Sequence, residues 1–393
     1  PPTAKKTPLE RVAFFWDMLT VQGRMSVRNI FRNPGRTFFI FLGIMFAFSL
    51  GGMTWAFNDM MDQMLYDQYE KVEKYSAKVA LAAPLEAEPV VRELGGFPGV
   101  KRAEPMAEIP VTLRNQWREK NVVLLGIPKN STLYHIIDKK YNPVQPPEEG
   151  ILISERLAEL LQAEAGSNIT LESPIMRDRS EEKTVKVAGV IPQYLGLNAY
   201  MELDAAQALM DNGKIATVVM LSMEERDIQG LQDAYNSSPG ISGIVNRREA
   251  LNKTKEMMAS YSGSIFVMAL FSILIGFAVV YNSSIITLSE RSRELASMMV
   301  LGMTPAEVLS VVTFEQWFVG GLAMVAGIPL TKMLLVAMAK AINNDVYTMP
   351  TTITPLAISI GFIITGLSIW IAQRLAAGKI KKLSLVEVLK SRE

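Results

Sequence analysis

The 393-residue sequence has no cysteine and only one histidine. Without cysteine there is no disulfide framework, no zinc-thiolate site and no cysteine nucleophile. With one histidine, His135 in STLYHIIDKK, there is no second imidazole to share a metal ion, and no G-x-S-x-G stretch offers a hydrolase triad. His135 is therefore expected to play an ordinary structural or surface role. A phosphate-cradling G-x-x-x-x-G-K-[ST] loop is also missing: Gly213-Lys214 and Gly378-Lys379 are each followed by isoleucine. The chain is not expected to bind ATP, a metal or another cofactor by itself. Serine, lysine and the carboxylates nowhere group in a way that names an enzyme, and no nucleic-acid partner is expected.

What is present in abundance is apolar surface. Hydrophobic residues make up 49% of the chain and the mean hydropathy is +0.19, which points to membrane spans. Four stretches reach the roughly 20 residues that a helix needs to cross a bilayer. They predict spans at 37–58, 262–288, 307–338 and 353–373. The first begins too far into the chain and runs too long for a signal peptide, and Gly51, Gly52 and Trp55 continue it without a cleavage pattern.

Basic residues orient the spans. Arg24, Arg28, Arg32 and Arg36 precede the first span, with no acid between Asp17 and Asp59. The last stretch, RLAAGKIKKLSLVEVLKSRE, carries six basic residues against two acids. Both termini are thus expected in the cytoplasm, with the protein a multi-pass resident of the cytoplasmic (inner) membrane. The short 339–352 segment is then an outer loop, and 374–393 a cytoplasmic tail. The lead at 1–36 shows an apolar side made of Val12, Phe15, Trp16, Leu19, Met25, Ile30 and Phe31. Its four arginines recur every fourth residue, as on one face of an interfacial helix that meets anionic lipid headgroups. Asn33-Pro34-Gly35 breaks that helix before the span.

The 59–261 segment reads as a large mixed α/β domain outside the membrane, flanked by helices that would form a stalk continuous with the first two spans. Strand, helix and strand follow in turn from KVALAAP at 78–84, and the order returns from KIATVVMLS at 214–222. The two units share a Pro-Gly turn, at FPGVKRAEP and SPGISGIVN. One subdomain split in two and coincidence of a common turn are competing explanations. The stretch at 144–212 reads as an inserted subdomain, with a strand, short helix, Gly166-centred turn and strand in EGILISERLAELLQAEAGSNITLES. The fold class is therefore an α-helical membrane protein with four transmembrane helices and a large α/β domain between helices 1 and 2.

Two features inside or between spans stand out. Glu315, in VVTFEQWFVGGL, would be costly facing lipid and should face other helices. A proton relay and a buried hydrogen-bonding role are the alternatives, and no second acid or histidine chain lies nearby to support the relay. Gly320, Gly321 and Gly327 in the same helix would let neighbours pack closely. Between spans two and three lies SERSRELASMMVLGMT, residues 289–304, within 289–306, the only expected cytoplasmic loop between spans. Ser289 can cap a helix, Glu290 with Arg293 and Arg291 with Glu294 are i, i+3 pairs, and Leu295, Met298, Met299 and Gly302 share a face. That predicts a short amphipathic helix; a charged extension of span two is the plainer alternative.

ERSRELASMMVLGMTPAEV, followed by Glu315 and a glycine-rich span, resembles the segment after the second span of FtsX/MacB/LolC-type ABC transporter permeases. RNIFRNPGRTFFIFLGI resembles the entry into their first span, ILISERLAELLQAEAGSNITL their outer domain, and KKLSLVEVLKSRE their ending. The resemblance implies that the loop is a coupling helix docking on a separate ATP-hydrolysing subunit, formed by Glu290, Arg291, Arg293, Glu294, Leu295, Leu301 and Gly302, with Glu315 the matching acid of span three. It also implies pairing with a second permease chain or module, and mechanical transmission to an outer domain that handles a lipoprotein, lipid, peptide or drug. The lead resembles the junction before the second module of two-module permeases, so the chain is expected to be a fragment of something longer. Two other functions compete: a regulator that activates an envelope hydrolase, and a membrane sensor without an ATPase. The sensor predicts that alanine at Arg291 and Glu294 changes nothing.

Overall fold

The computed structural model describes residues 21–32, 34–174, 182–194, 196–210, 213–290, 292–342 and 351–380. The expected apolar side at Val12 to Leu19, Arg291, most of the outer loop and the tail beyond 380 lie outside the described residues. The chain divides into a helical unit, residues 1–60, 261–338 and 351–393, and an α/β unit, residues 61–260 with 339–350.

In the helical unit, α1 (Val21–Arg32) precedes α2 (Pro34–Tyr66). Pro34 stands first in α2, a position that suits proline. The remaining helices are α7 (Arg247–Glu290), α8 (Ser292–Val300), α9 (Pro305–Ile342) and α10 (Pro355–Ile380). Four of the helices are long and apolar enough to cross a membrane. Their common core is Ile40, Ile44 and Phe48 of α2, Val280 of α7, Val319, Ala323 and Met324 of α9, and Ile369 and Ala372 of α10. Glycines set the spacing at chosen points. A side chain at Gly327 would strike the Phe48 ring at 2.4 Å, and one at Gly320 would meet Ile369 at 2.9 Å. Gly321, expected to do the same, faces open space, because one residue along a helix turns the position about 100° away from the partner.

The helices overrun the apolar segments: α2 begins three residues before the expected span and ends eight beyond it, then passes into a π-helical turn, Asp67–Val72. Helix α7 runs 44 residues without interruption. Polar residues flanking an apolar stretch do not stop a helix unless a breaker or cap is present, and these flanks have neither.

The α/β unit has two sheets' worth of strands in one order. Strands β1 (Ala77–Glu86), β2 (Val100–Asn115), β10 (Ile215–Met223) and β11 (Ile241–Asn246) lie side by side as β11-β1-β10-β2, all antiparallel neighbours. Helix α3 (Ala87–Gly95) links β1 to β2, and α6 (Glu225–Tyr235) links β10 to β11. Each β-α-β unit thus straddles one strand of the other, the interlocked split β-α-β arrangement of ferredoxin-like folds. The repeated Pro-Gly turn is therefore the shared joint of one subdomain. Val79, Leu94, Val219, Leu221, Ile228 and Leu231 form its core under the helices.

The inserted piece is larger than expected from sequence. Strand β2 is 16 residues long; its first part pairs with β10 and its second, from Ala107, with β3 (Arg118–Ile127). From there the order runs β3, β9 (Asn198–Glu202), β6 (Ile151–Ser154), β8 (Lys183–Ile191) and β7 (Asn168–Glu172), and β7 returns to pair with β2. Six strands so close into a barrel filled by Ile109, Val111, Leu113, Leu124, Ile151, Ile153, Ile169, Leu171 and Val187, with α4 (Glu155–Leu161) and α5 (Leu203–Met210) packed on it. The insertion was placed at 144–212 because β2 reads as one continuous strand; nothing in its alternation marks the switch between sheets. Strand β9, NAYME, is too short to show a period in the sequence. The small hairpin β4 (Ile136–Ile137) with β5 (Pro143–Val144) went unread for the same reason.

Candidate functional site

Three helices of the helical unit meet at one guanidinium. Arg36, in the first turn of α2, keeps only 17% of its side chain exposed. Its Nη1 donates to Oε2 of Glu290, the last residue of α7, at 3.0 Å, and its Nη2 donates to Oε1 of Glu315 on α9 at 3.2 Å. Glu315 is 6% exposed at its side chain and Glu290 60%. The planar fork of arginine lets one side chain hold two carboxylates in fixed directions, which a lysine cannot do. Glu315 therefore faces helices and carries its own counter-charge, which favours the structural reading over a proton relay. Arg36 was expected on the same lipid-facing stripe as Arg24, Arg28 and Arg32. It turns inward instead, while Arg28 and Arg32 are exposed and Arg24 half-buried.

Beside this clamp runs a line of neutral polar groups. Gln316 Nε2 donates to Ser284 Oγ at 2.5 Å, joining α9 to α7. Gln373 of α10 donates to Gln316 Oε1 at 3.2 Å and accepts from Trp317 Nε1 at 3.0 Å. Ser26 of α1 donates to the Val311 carbonyl at 2.9 Å. The clamp and this line together tie α1, α2, α7 and α10 to α9. Sequence reading missed Gln316, Gln373 and Ser284; two amides inside apolar spans are the signal that marks them, since an amide facing hydrocarbon would be left unsatisfied.

The linker after α7 is shaped by its own residues. Ser289 does not cap: it lies in the last turn of α7, and the new helix α8 starts at Ser292. At the other end of α8, Gly302 N–H donates to Met299 O at 3.1 Å and Met303 N–H to Met298 O at 3.1 Å, with Gly302 at φ +98°. This is a Schellman stop, which needs a left-handed residue and favours glycine there. Thr304 and Glu307 then exchange bonds, Glu307 Oε2 accepting from Thr304 N at 2.8 Å and Thr304 Oγ1 from Glu307 N at 3.4 Å, a capping box that starts α9. Thus L-G-M-T-P is a stop and a start in five residues.

Met298, Met299 and Met303 pack against Val308 and Val312 of α9, and Ala296 is buried. Val300 and Leu301 face the other way, 66% and 85% exposed. Among the expected coupling residues, then, Glu290 joins the clamp, Gly302 makes the turn and Leu301 is presented outward. Arg293, Glu294 and Leu295 lie on α8. His135 sits half-buried after β3, its backbone N–H donating to Val72 O at 2.9 Å.

Residues 266–385, which include α8, the Glu315 half of the clamp and Gln373, match the FtsX-like permease C-terminal family. That segment is similar to FtsX-like permeases. The chain is 23% identical over 241 residues to uncharacterized ABC transporter permeases of Mycobacterium bovis and Mycobacterium tuberculosis, covering 60% of this chain and 62% of theirs. It therefore spans less than two thirds of those relatives. Among solved structures, the chain is similar to the extracellular domain of the noncanonic ABC-type transporter YknZ from Gram-positive bacteria, at 16% identity and a TM-score of 0.29 over 42% of this chain and 100% of that one. It is also similar to the periplasmic region of MacB from Actinobacillus actinomycetemcomitans, at 10% identity and a TM-score of 0.32 over 49% and 97%. Likenesses at that level identify neither substrate nor partner.

Proposed function

We propose that this chain is a transmembrane subunit that receives the motion of a separate cytoplasmic ATPase at α8 and transmits it to an extracytoplasmic α/β domain, which moves or extracts a lipoprotein, lipid, peptide or drug. ATP hydrolysis belongs to the partner subunit, and a second permease chain or module completes the assembly. The observation that carries this reading is the Arg36 clamp. A push on α8 would act on the adjoining end of α7 through Glu290, and the clamp makes α2 and α9 follow, because a buried ion pair resists separation by about 3–5 kcal/mol. Helices α2 and α7 are stiff, continuous rods of 33 and 44 residues, roughly 50 and 66 Å at the usual rise. Rods of that length carry axial or tilting motion without a flexible linker. The exposed Val300 and Leu301 at the end of α8 are the contact offered to the ATPase, and the charges of the coupling sequence, Arg291, Arg293 and Glu294, are assigned to the same docking.

The test is co-purification of the chain with an ATP-binding cassette protein co-expressed from the same genome. Leu301→Asp should abolish association and ATPase stimulation while leaving the permease folded, since Leu301 touches little of its own chain. Unchanged association in Leu301→Asp and in Arg291→Ala/Glu294→Ala would refute docking at α8. Crosslinking from residues 97–105 and 190–200 reads the other end: bound lipid or lipoprotein supports transport, and capture of a hydrolase would replace it by activation of that enzyme.

A further inference from the structure

The α/β unit holds a cavity of about 40 Å³ whose lining includes two carboxylates, Asp67 and Asp138, and four tyrosines, Tyr134, Tyr141, Tyr194 and Tyr200; Asp138 is engaged by the Asn142 amide and by the backbone N–H groups of Lys140 and Asn142. Asp67 opens the π-helical turn and is 4% exposed. π-Helical turns recur at functional sites because they displace a side chain from the helical register. The Asp67 carboxylate accepts a hydrogen bond from the Tyr141 hydroxyl at 3.2 Å, and Gln63 Nε2 in turn donates to that hydroxyl at 2.8 Å.

No ion pair to Asp67 forms among the described residues. Lys71, one turn onward, holds its ammonium 5.5 Å from the centre of the Tyr66 ring. Lys139 also lines the cavity, but its ammonium pairs with Glu155 at 2.5 Å. A carboxylate withdrawn from water without a cation is costly. The tyrosines supply no charge of their own. Burial, and after it the charge of Asp67, pushes the Tyr194 hydroxyl up to about 12, and burial pushes Tyr200 up to about 12. Tyr134 and Tyr200 lie with ring centroids 6.4 Å apart. A buried negative charge among neutral aromatic rings, in a space only slightly larger than a water molecule, suits a small cation.

We propose that this cavity binds a compact primary ammonium group, paired with Asp67 and enclosed by the tyrosine rings. A lysine side chain and an ethanolamine headgroup both present that group. The site lies apart from the clamp and α8, so it stands or falls separately from the transmission described above.

The experiment is calorimetric titration of the full chain in detergent with propylammonium chloride at pH 8. Saturable 1:1 binding is expected, weakened at least tenfold by Asp67→Asn, which keeps an acceptor for Tyr141, and weakened by Tyr194→Leu but not by Tyr194→Phe. Propanol should not bind, and tetramethylammonium, too bulky for the cavity, should bind at least tenfold more weakly. Parallel titrations with Nα-acetyl-lysine amide and phosphoethanolamine identify the source, the tighter ligand being the natural class. Absence of saturable binding, propanol binding as tightly as propylammonium, or equal affinity in the wild type, Asp67→Asn and Tyr194→Leu would overturn the proposal.

Discussion

The Arg36–Glu315 pair of the helical unit and the Arg92–Glu88 pair on α3 have similar lengths, 3.2 and 2.7 Å, and opposite surroundings. In the first the side chains are 17% and 6% exposed; in the second, 77% and 84%. The exposed pair is screened by water and is worth about 0–1 kcal/mol, so the α/β unit owes its fold to the three apolar cores that its strands and helices enclose. The buried pair sits where apolar contact discriminates poorly, because lipid tails and leucine side chains are alike to a helix. There, neighbours are specified by what lipid cannot offer: a counter-charge for Glu315, an acceptor for Gln316, a gap at Gly327 for the Phe48 ring. In these two pairs charge thus has opposite roles, as solvating surface on α3 and as the selector of helix partners at Arg36.

Substitutions can break that contrast, and the largest effect is expected at the clamp. Arg36→Ala leaves Glu315 buried without its cation and should cost about 3–5 kcal/mol, read as loss of the folded helical unit in thermal unfolding in detergent. Arg36→Lys should recover only part, because an ammonium cannot hold both carboxylates in a fork. Next comes Gly327→Leu, which forces a side chain into the Phe48 ring and should cost about 1–3 kcal/mol by overpacking; Gly321→Leu, into open space, should change stability by less than about 0.5 kcal/mol. Gln316→Leu should cost roughly 0.6 kcal/mol, the usual size of a hydrogen bond between membrane helices, detectable as a small fall in melting temperature. Smallest is Arg92→Ala on α3, expected within about 0.5 kcal/mol of wild type by denaturant titration. An Arg92 effect as large as that of Arg36 would dissolve the comparison.

The four spans were legible because 20 apolar residues in a row admit few other structures, and the two β-α-β units because each repeats a strand, a helix and a Pro-Gly stop. The stop at Gly302 was equally readable once the residues on either side were considered, a hydrophobic Met303 after it and Thr304 ready to cap. What did not show in the sequence are relations between distant residues. The inward turn of Arg36 depends on Glu290 and Glu315, 254 and 279 residues away, whereas a four-residue period by itself keeps it with Arg24, Arg28 and Arg32. The closed barrel depends on β2 serving two sheets, and a strand's alternation is the same whichever neighbour it pairs with. Gly320 and Gly321 look alike in sequence, and only the direction each faces separates the packed one from the open one.

The central claim is that Arg36 and Glu315 act as one unit to make α2 and α9 follow the helix that leads into α8. A double-mutant cycle of Arg36→Met and Glu315→Met, read as stimulation of the partner ATPase in reconstituted membranes, tests it directly. Each single variant should lose most of the stimulation, and the double variant, which removes both charges and leaves none buried alone, should regain much of it, a coupling of at least about 1 kcal/mol. Single variants that stimulate like wild type, or losses that simply add in the double variant, would contradict the clamp.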